Sequence, residues 1–291
     1  MGRVLLQMVQ EKIILLLGIR KAVSYNVAMK LAICIPAFNE EKTVGAVIES
    51  VPKNIHGITM TKIFIIDDGS TDNTTASAIA AGQKWAGESQ KSVDTTSSAH
   101  PLHCSIEIIE IKPNKGLANA FLKGIKKALT WGADVVVNID ADGQYRAEEI
   151  GLLIEPILRG EADMCIGDRQ VEKLKFMSFA KKYGNRVGSW FLRSLTGLRV
   201  RDASSGFRAY TQAFAQEIEI FSQHTYTHEN LIQAHYQGSR IAEVPVTFIT
   251  RSDGTSSRLI RGVLKHIFKS LQGILGAWRR WRRVGSGAGQ L

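Results

Sequence analysis

The sequence has 291 residues, 44% of them hydrophobic and 22% charged, enough to bury the core of one large α/β domain. Lys and Arg outnumber Asp and Glu by 37 to 27, and the formal net charge of +10 asks for an anionic partner: nucleic acid, anionic lipid or a phosphorylated substrate. Cys34, Cys104 and Cys165 make no CxxC pair, which excludes a zinc knuckle and a dithiol redox motif, and the odd count suggests a reducing compartment.

Residues 4–20 set Leu5, Met8, Val9, Ile13, Leu16 and Leu17 on one side of a helix, with Glu11 and Lys12 nearer the other. A helix packed on the domain and a helix lying in a membrane plane both satisfy that pattern. The stretch is not a clean signal peptide, because Gln7, Gln10, Glu11 and Lys12 interrupt it and no small-residue cleavage site follows. No apolar run approaches the ~20 residues that a bilayer-crossing helix needs.

Apolar strands are expected at 31–36, 62–67, 105–111, 134–140 and 163–167, with helices through 43–51, near 72–82, 117–129 and 147–159. This alternation predicts a mainly parallel sheet covered on both faces, with ligands bound beyond the carboxyl ends of the strands. Residues 83–104, rich in Ser, Thr, Gly and Gln, read as a mobile surface insertion. Beyond 176 the chain turns helical, a further helix covers 227–238, and 241–249 reads as a strand. Residues 258–283 run as a basic, apolar helix, and 284–291 read as a disordered tail.

The polar motifs fall at the strand ends. Asp140-Ala141-Asp142-Gly143-Gln144 follows the fourth strand, and two acids one residue apart in a turn can face one hard cation. The Gln144 amide oxygen is a third possible ligand, and the plainer reading is an acidic turn that caps the next helix. Asp67-Asp68-Gly69-Ser70-Thr71-Asp72 ends the second strand. Its carboxylates can accept from ribose hydroxyls or a base edge, while Ser70 or Asp72 caps the following helix. Pro36-Ala37-Phe38-Asn39-Glu40-Glu41 ends the first, with Asn39 placed to cap and Glu41 suited to the first helical turn.

Together IPAFNEE, IIDDGSTDNT, Asn114-Lys115-Gly116-Leu117 and NIDADGQ resemble, in order and near spacing, the family 2 glycosyltransferases of GT-A fold. Gly167-Asp168-Arg169, LRVRDASSGFRAY, Glu243-Val244-Pro245-Val246 and Arg251-x-x-Gly254-x-Ser256 narrow the resemblance to the dolichyl or polyprenyl-phosphate mannose (or glucose) synthase branch. It spans roughly residues 30–260. The resemblance implies a metal and diphosphate site at Asp140, Asp142 and Gln144, holding Mg²⁺ or Mn²⁺. It implies a nucleotide pocket at Pro36, Glu40 (or Glu41), Asp67, Asp68 and Lys115. Arg169 resembles an arginine that meets the acceptor phosphate, and Lys181, Asn185 and Ser256 fall on acceptor-side positions. Lys181 and Asn185 depart from the family's usual residues there; positions four apart share a helix face and can reach one phosphate. Arg251 resembles a loop arginine closing over the diphosphate.

The expected protein is therefore an α/β, GT-A catalytic domain at 30–257 between an amphipathic helix at 1–29 and the basic helix at 258–283. The expected reaction moves a hexose from a nucleotide diphosphate sugar, of GDP-mannose or UDP-glucose type, to a polyprenyl or dolichyl phosphate, with inversion. A phosphate acceptor is largely dianionic near neutrality, its second pKa being about 6, and can attack without a general base. The alternative is the same fold acting on a hydroxyl of a glycan or glycolipid, which needs a base; Glu229, His228, His224 and Asp202 are the residues to consider. The enzyme is expected in the cytoplasm, peripheral at the membrane, with 258–283 docking on lipid or on a separate membrane subunit; the plainer reading packs that helix on the domain. Nucleic acid is not expected as a partner, since no recognition motif for it appears. A dinucleotide fold would need GxGxxG where the chain reads PAFNEE.

Overall fold

A computed structural model describes residues 29–91, 103–177, 179–222, 226–251 and 263–287. The expected helix at 4–20, the acceptor-side Ser256, His224 and the tail at 288–291 lie outside them. In chain order the elements are β1 (Met29–Ala37), α1 (Val44–Ser50), β2 (Ile58–Asp67), α2 (Thr74–Lys91), β3 (His103–Glu110), α3 (Leu117–Trp131) and β4 (Val135–Asn138). They continue with α4 (Ile150–Leu158), β5 (Met164–Asp168), α5 (Phe179–Thr196), β6 (Arg208–Thr211), α6 (Gln212–Gln216), α7 (Thr227–Tyr236), β7 (Ile241–Pro245) and α8 (Val263–Gly287).

The strands form one seven-stranded sheet in the order β3-β2-β1-β4-β6-β5-β7. Only β6 runs against the others, pairing antiparallel with both β4 and β5. Alternation along the strands divides the core. Ile33, Ile35, Val135 and Val137 face one layer with Val47 and Ile154. Ala32, Cys34, Phe64 and Val136 face the other with Phe121, Tyr210 and Leu231. Because six strands point one way, the ends of β1, β2, β4, β5 and β7 open on one edge, and the loop leading into β6 returns to that edge.

Two expectations are corrected. Residues 83–104 are not a single surface insertion: α2 continues to Lys91 and β3 begins at His103. Trp85 explains the extra helical turns. Its ring is fully buried two turns beyond Ala78 and one beyond Ala81, and its Nε1 donates to the Val51 carbonyl at 2.9 Å. The second correction concerns α8. Its apolar positions Ile274, Ala277 and Trp281 are buried against the domain, with Leu271 and Trp278 beside them. Trp278 Nε1 donates to the Leu195 carbonyl in α5 at 3.1 Å. Over 271–281 the stripe expected to meet a membrane or a separate subunit is thus used inside the chain, and arginines line the outside. Among the described residues no helix is long and apolar enough to cross a membrane.

Candidate active site

The turns after β1 and β2 are laced together. Asn39, at a positive φ of 52°, accepts from Thr71 N at 2.7 Å and donates its own N–H to Ser70 Oγ at 2.9 Å. Glu40 N–H donates to Thr74 Oγ1 at 2.8 Å. Asp67 accepts from Ser70 N at 2.9 Å and from Thr75 Oγ1 at 2.6 Å. Asp68 accepts from Lys115 N at 2.9 Å and Gly116 N at 2.7 Å, which ties β2 to the start of α3. These donors are what allow two adjacent acids, both buried, to coexist. An ionised carboxylate has about four acceptor positions, so each retains capacity toward a ligand. Pro36 lies within β1 opposite Ile66, and the Lys115 side chain is exposed on the same rim.

Asp140 and Asp142 follow β4. The Asp140 carboxylate lies against Gly206, where an added Cβ would come within 2.8 Å of Oδ2, so a larger residue there would displace the carboxylate. Burial pushes the Asp140 carboxyl up to about 7, with the neighbouring Asp142 adding to the rise and Arg169 and Arg251 opposing it. Asp142 accepts from Gln144 N at 3.1 Å and from Arg251 Nη2 at 3.0 Å. The same guanidinium reaches Glu40 Oε1 through Nη1 at 3.3 Å. A cation thus bridges the acidic ends of β1 and β4. Gln144 donates Nε2 to the Ile249 carbonyl at 2.9 Å, and its own carbonyl accepts from Ile249 N. That pins the segment carrying Arg251 and leaves the amide oxygen as the only end of Gln144 suited to a metal.

Arg169, just past β5, makes a two-pronged ion pair with Asp202: Nε to Oδ2 at 2.6 Å and Nη2 to Oδ1 at 2.8 Å. Burial alone would raise the Asp202 carboxyl, but Arg169 outweighs it and the net shift is downward. Arg169 Nη2 also donates to Ser204 Oγ at 2.7 Å, and Ser204 Oγ donates to Asn185 Oδ1 at 2.6 Å. Arg169 and Asn185 therefore meet through Ser204, a residue the sequence analysis did not single out. Lys181 lies one turn before Asn185 in α5, and its side chain is outside the described ones.

Two further side chains support this loop. Tyr145 accepts at its hydroxyl from Gly206 N at 3.1 Å and bonds Ser205 Oγ at 3.2 Å; burial pushes its phenol up to about 12, so it stays protonated. Arg208, fully buried, donates to the carbonyls of Ser205, Thr227 and Ala203 at 2.6 to 2.8 Å. Neither residue was singled out from the sequence: Tyr145 follows the NIDADGQ turn directly, and Arg208 lies within LRVRDASSGFRAY with nothing local to mark its three carbonyl partners. Glu229 is held away from this cluster: its oxygens accept from Phe221 N and Ser222 N, and burial raises its carboxyl. His228 is buried, with Gly188 of α5 lying near its Nε2.

The arrangement places acids at the ends of β1 and β4 opposite a cationic, hydroxyl-bearing cluster at the start of β6. Residues 32–219 match the family described as Glycosyl transferase family 2. The chain belongs to this family. It is a glycosyltransferase of GT-A fold, and its relatives lie in the polyprenyl-phosphate sugar synthase branch. It is 32% identical over 223 residues to the UDP-N-acetylglucosamine–dolichyl-phosphate N-acetylglucosaminyltransferase of Methanococcus voltae, covering 74% of this chain and 84% of that one. It is 28% identical over 238 residues to the undecaprenyl-phosphate mannosyltransferase of Micrococcus luteus, covering 78% and 87%. Its fold is similar to that of glucosyl-3-phosphoglycerate synthase from Mycobacterium tuberculosis, solved with Mn²⁺, uridine diphosphate and phosphoglyceric acid. The TM-score there is 0.57 at 18% identity, over 87% of this chain and 82% of that one.

Proposed function

We propose that this glycosyltransferase moves a hexose from a GDP- or UDP-sugar to a polyprenyl or dolichyl phosphate, with inversion, at the cytosolic face of a membrane. The observation that carries the reading is the state of the acceptor-side carboxylates. Asp202 is committed to Arg169 and Glu229 to two backbone N–H groups, so neither stands ready as a base. What that side offers is a guanidinium, a hydroxyl and an amide, suited to an anion that needs no deprotonation. The names of both relatives fit, each pairing a sugar with a prenyl-type phosphate, and their differing sugars leave the hexose open.

The donor side fits a divalent cation. Among the described residues no three Asp, Glu, His or Cys side chains converge as ligands. Mg²⁺ typically takes only one or two carboxylates and fills its shell with water and phosphate oxygens, which suits the Asp140–Asp142 pair. The Arg251 guanidinium already lies between Glu40 and Asp142, which supports reading this spot as one suited to positive charge. Asp140 and Asp142 would hold Mg²⁺ or Mn²⁺, with the Gln144 oxygen within the same turn, and the ion would neutralise the leaving diphosphate. Pro36, Glu40, Asp67, Asp68 and Lys115 would line the nucleotide. Arg251 would pass from its carboxylates to the diphosphate. Arg169, Asn185, Lys181 and Ser256 would receive the acceptor phosphate.

The test offers purified enzyme a panel of radiolabelled nucleotide sugars with a short prenyl phosphate, the matching prenol, or a free sugar, with and without EDTA. Label should enter the lipid extract only with the phosphate, and EDTA should abolish it. Equal transfer to prenol or sugar would hand the site to the hydroxyl-acceptor alternative, and full activity in chelator would remove the metal.

A further inference from the structure

Asp202 and Ser204, which engage Arg169 and Asn185, sit on a loop between α5 and β6, and residues 201–206 belong to no strand. Side chains from other elements meet the loop's backbone groups instead. Ser189 Oγ in α5 donates to the Arg201 carbonyl at 3.2 Å and accepts from Ala203 N at 3.4 Å. Arg208 takes the carbonyls of Ala203 and Ser205, and the Tyr145 hydroxyl takes the N–H of Gly206. The two N–H groups at the head of the loop go to a single atom of β7. Glu243 Oε1 accepts from Arg201 N at 2.6 Å and from Asp202 N at 3.3 Å.

Strand logic alone does not explain a glutamate at this place. Glu243 is half-buried on the last strand of the sheet, in register with Ile166 of β5. Burial raises its carboxyl, and the Asp168 charge adds to the rise against the two N–H bonds and Arg201. A β-branched residue would serve the strand at least as well. Only an acceptor oxygen, however, can hold Arg201 N and Asp202 N. The Asp202 held in this way grips Arg169 through two side-chain bonds, at 2.6 and 2.8 Å, and its Oδ2 also accepts from Arg169 N at 3.3 Å. A shift of the Asp202 backbone therefore turns the guanidinium, and the Ser204 hydroxyl bonded to it moves as well.

We propose that Glu243 is a positioning residue of the acceptor side: from the edge of the sheet it sets the Asp202 backbone, and through Asp202 it aims the Arg169 guanidinium at the acceptor's phosphate. The inference rests on the lipid-phosphate acceptor proposed above. Glu243 itself touches no substrate. Its effect is confined to the acceptor, because Gly206, which lies against the Asp140 carboxylate, is fixed separately by Tyr145 at its N–H and by Asn138 at its carbonyl. A slack Asp202 backbone thus loosens Arg169 and leaves the donor carboxylates where they are.

The experiment compares Glu243→Ala and Glu243→Gln with wild type in the full chain. It measures kcat and KM for a short, water-soluble prenyl phosphate, binding of Mn²⁺ with GDP or UDP by titration calorimetry, and amide hydrogen exchange over residues 201–206. Glu243→Ala should raise the acceptor KM roughly tenfold, as a misaimed binding group does, with kcat and nucleotide binding near wild type. Exchange at Arg201 and Asp202 should quicken in the same variant. Glu243→Gln keeps an oxygen that accepts both N–H groups, so it should restore the acceptor KM and the slow exchange. A lower Tm in Glu243→Ala with the acceptor KM unchanged would overturn the proposal and leave Glu243 a stabilising contact only. So would an equal loss of acceptor and nucleotide binding, or a Gln variant as impaired as the Ala one. Quickened exchange in Glu243→Ala, with no transfer by wild type to any prenyl phosphate, would instead count against the acceptor reading and leave the hold on Asp202 standing.

Discussion

Arg251 holds Glu40 and Asp142 with one guanidinium, and a divalent cation arriving at Asp142 competes with it. Arg251→Gln should therefore tighten Mn²⁺ binding severalfold in the absence of nucleotide while lowering transfer, a split that titration calorimetry and kinetics would resolve. The proton is a second competitor. With the Asp140 carboxyl raised to about 7, the carboxylate is the dominant form above that pH and the acid below it. Metal affinity should then be steady at pH 8 and weaken by up to about tenfold per unit below 7, because the metal must displace the proton. A flat profile from pH 6 to 8 would contradict that assignment. At Arg169 the sequence points to a phosphate ligand, but the structure adds a structural duty. Removing it leaves Asp202 buried and unpaired, a loss of about 3–5 kcal/mol in comparable buried pairs. Arg169→Ala should melt well below wild type, and adding Asp202→Asn should recover much of the difference. Acceptor KM is best read in the double variant, where folding no longer confounds it.

Among the elements, the parallel strands were legible because buried strands read as continuous apolar runs, and the acidic motifs were legible because each lies where a strand ends. What escaped has physical reasons. β6 has four residues, too few for a periodic signal, and it sits inside the segment LRVRDASSGFRAY. The extension of α2 depends on a single Trp85 among polar residues. The pairing of Arg251 with Asp142 joins positions 109 apart, beyond the reach of any local pattern. The α8 stripe was legible as a stripe, but amphipathicity says only that a face is covered, and lipid, another chain and the same domain all serve. The structure assigns 271–281 to the domain, and a stability measurement checks it. Trp281→Ala should cost about 3–5 kcal/mol, as for a large buried ring, seen as a lower Tm without any vesicle present. A variant as stable as wild type would detach α8 from the core.

Across the whole molecule, the order of strands in the sheet differs from their order in the chain. β3, β2, β1 and β4 are neighbours, and all four are made before residue 139. β5 has no partner among them. It pairs only with β6 and β7, both of which come later in the chain. Synthesis therefore delivers a donor half whose strands can pair at once, then a strand that must wait. In pulse-labelled hydrogen exchange during refolding, amides of β1, β2 and β4 should gain protection before those of β5, and simultaneous protection would contradict this sequence of events. While β5 waits, its apolar Met164, Cys165 and Ile166 stand without a neighbouring strand, so the growing chain passes through an interval in which it is most open to chaperones and to misassembly. That interval closes only when the antiparallel β6 arrives, and β6 is the same strand whose approach loop completes the acceptor side.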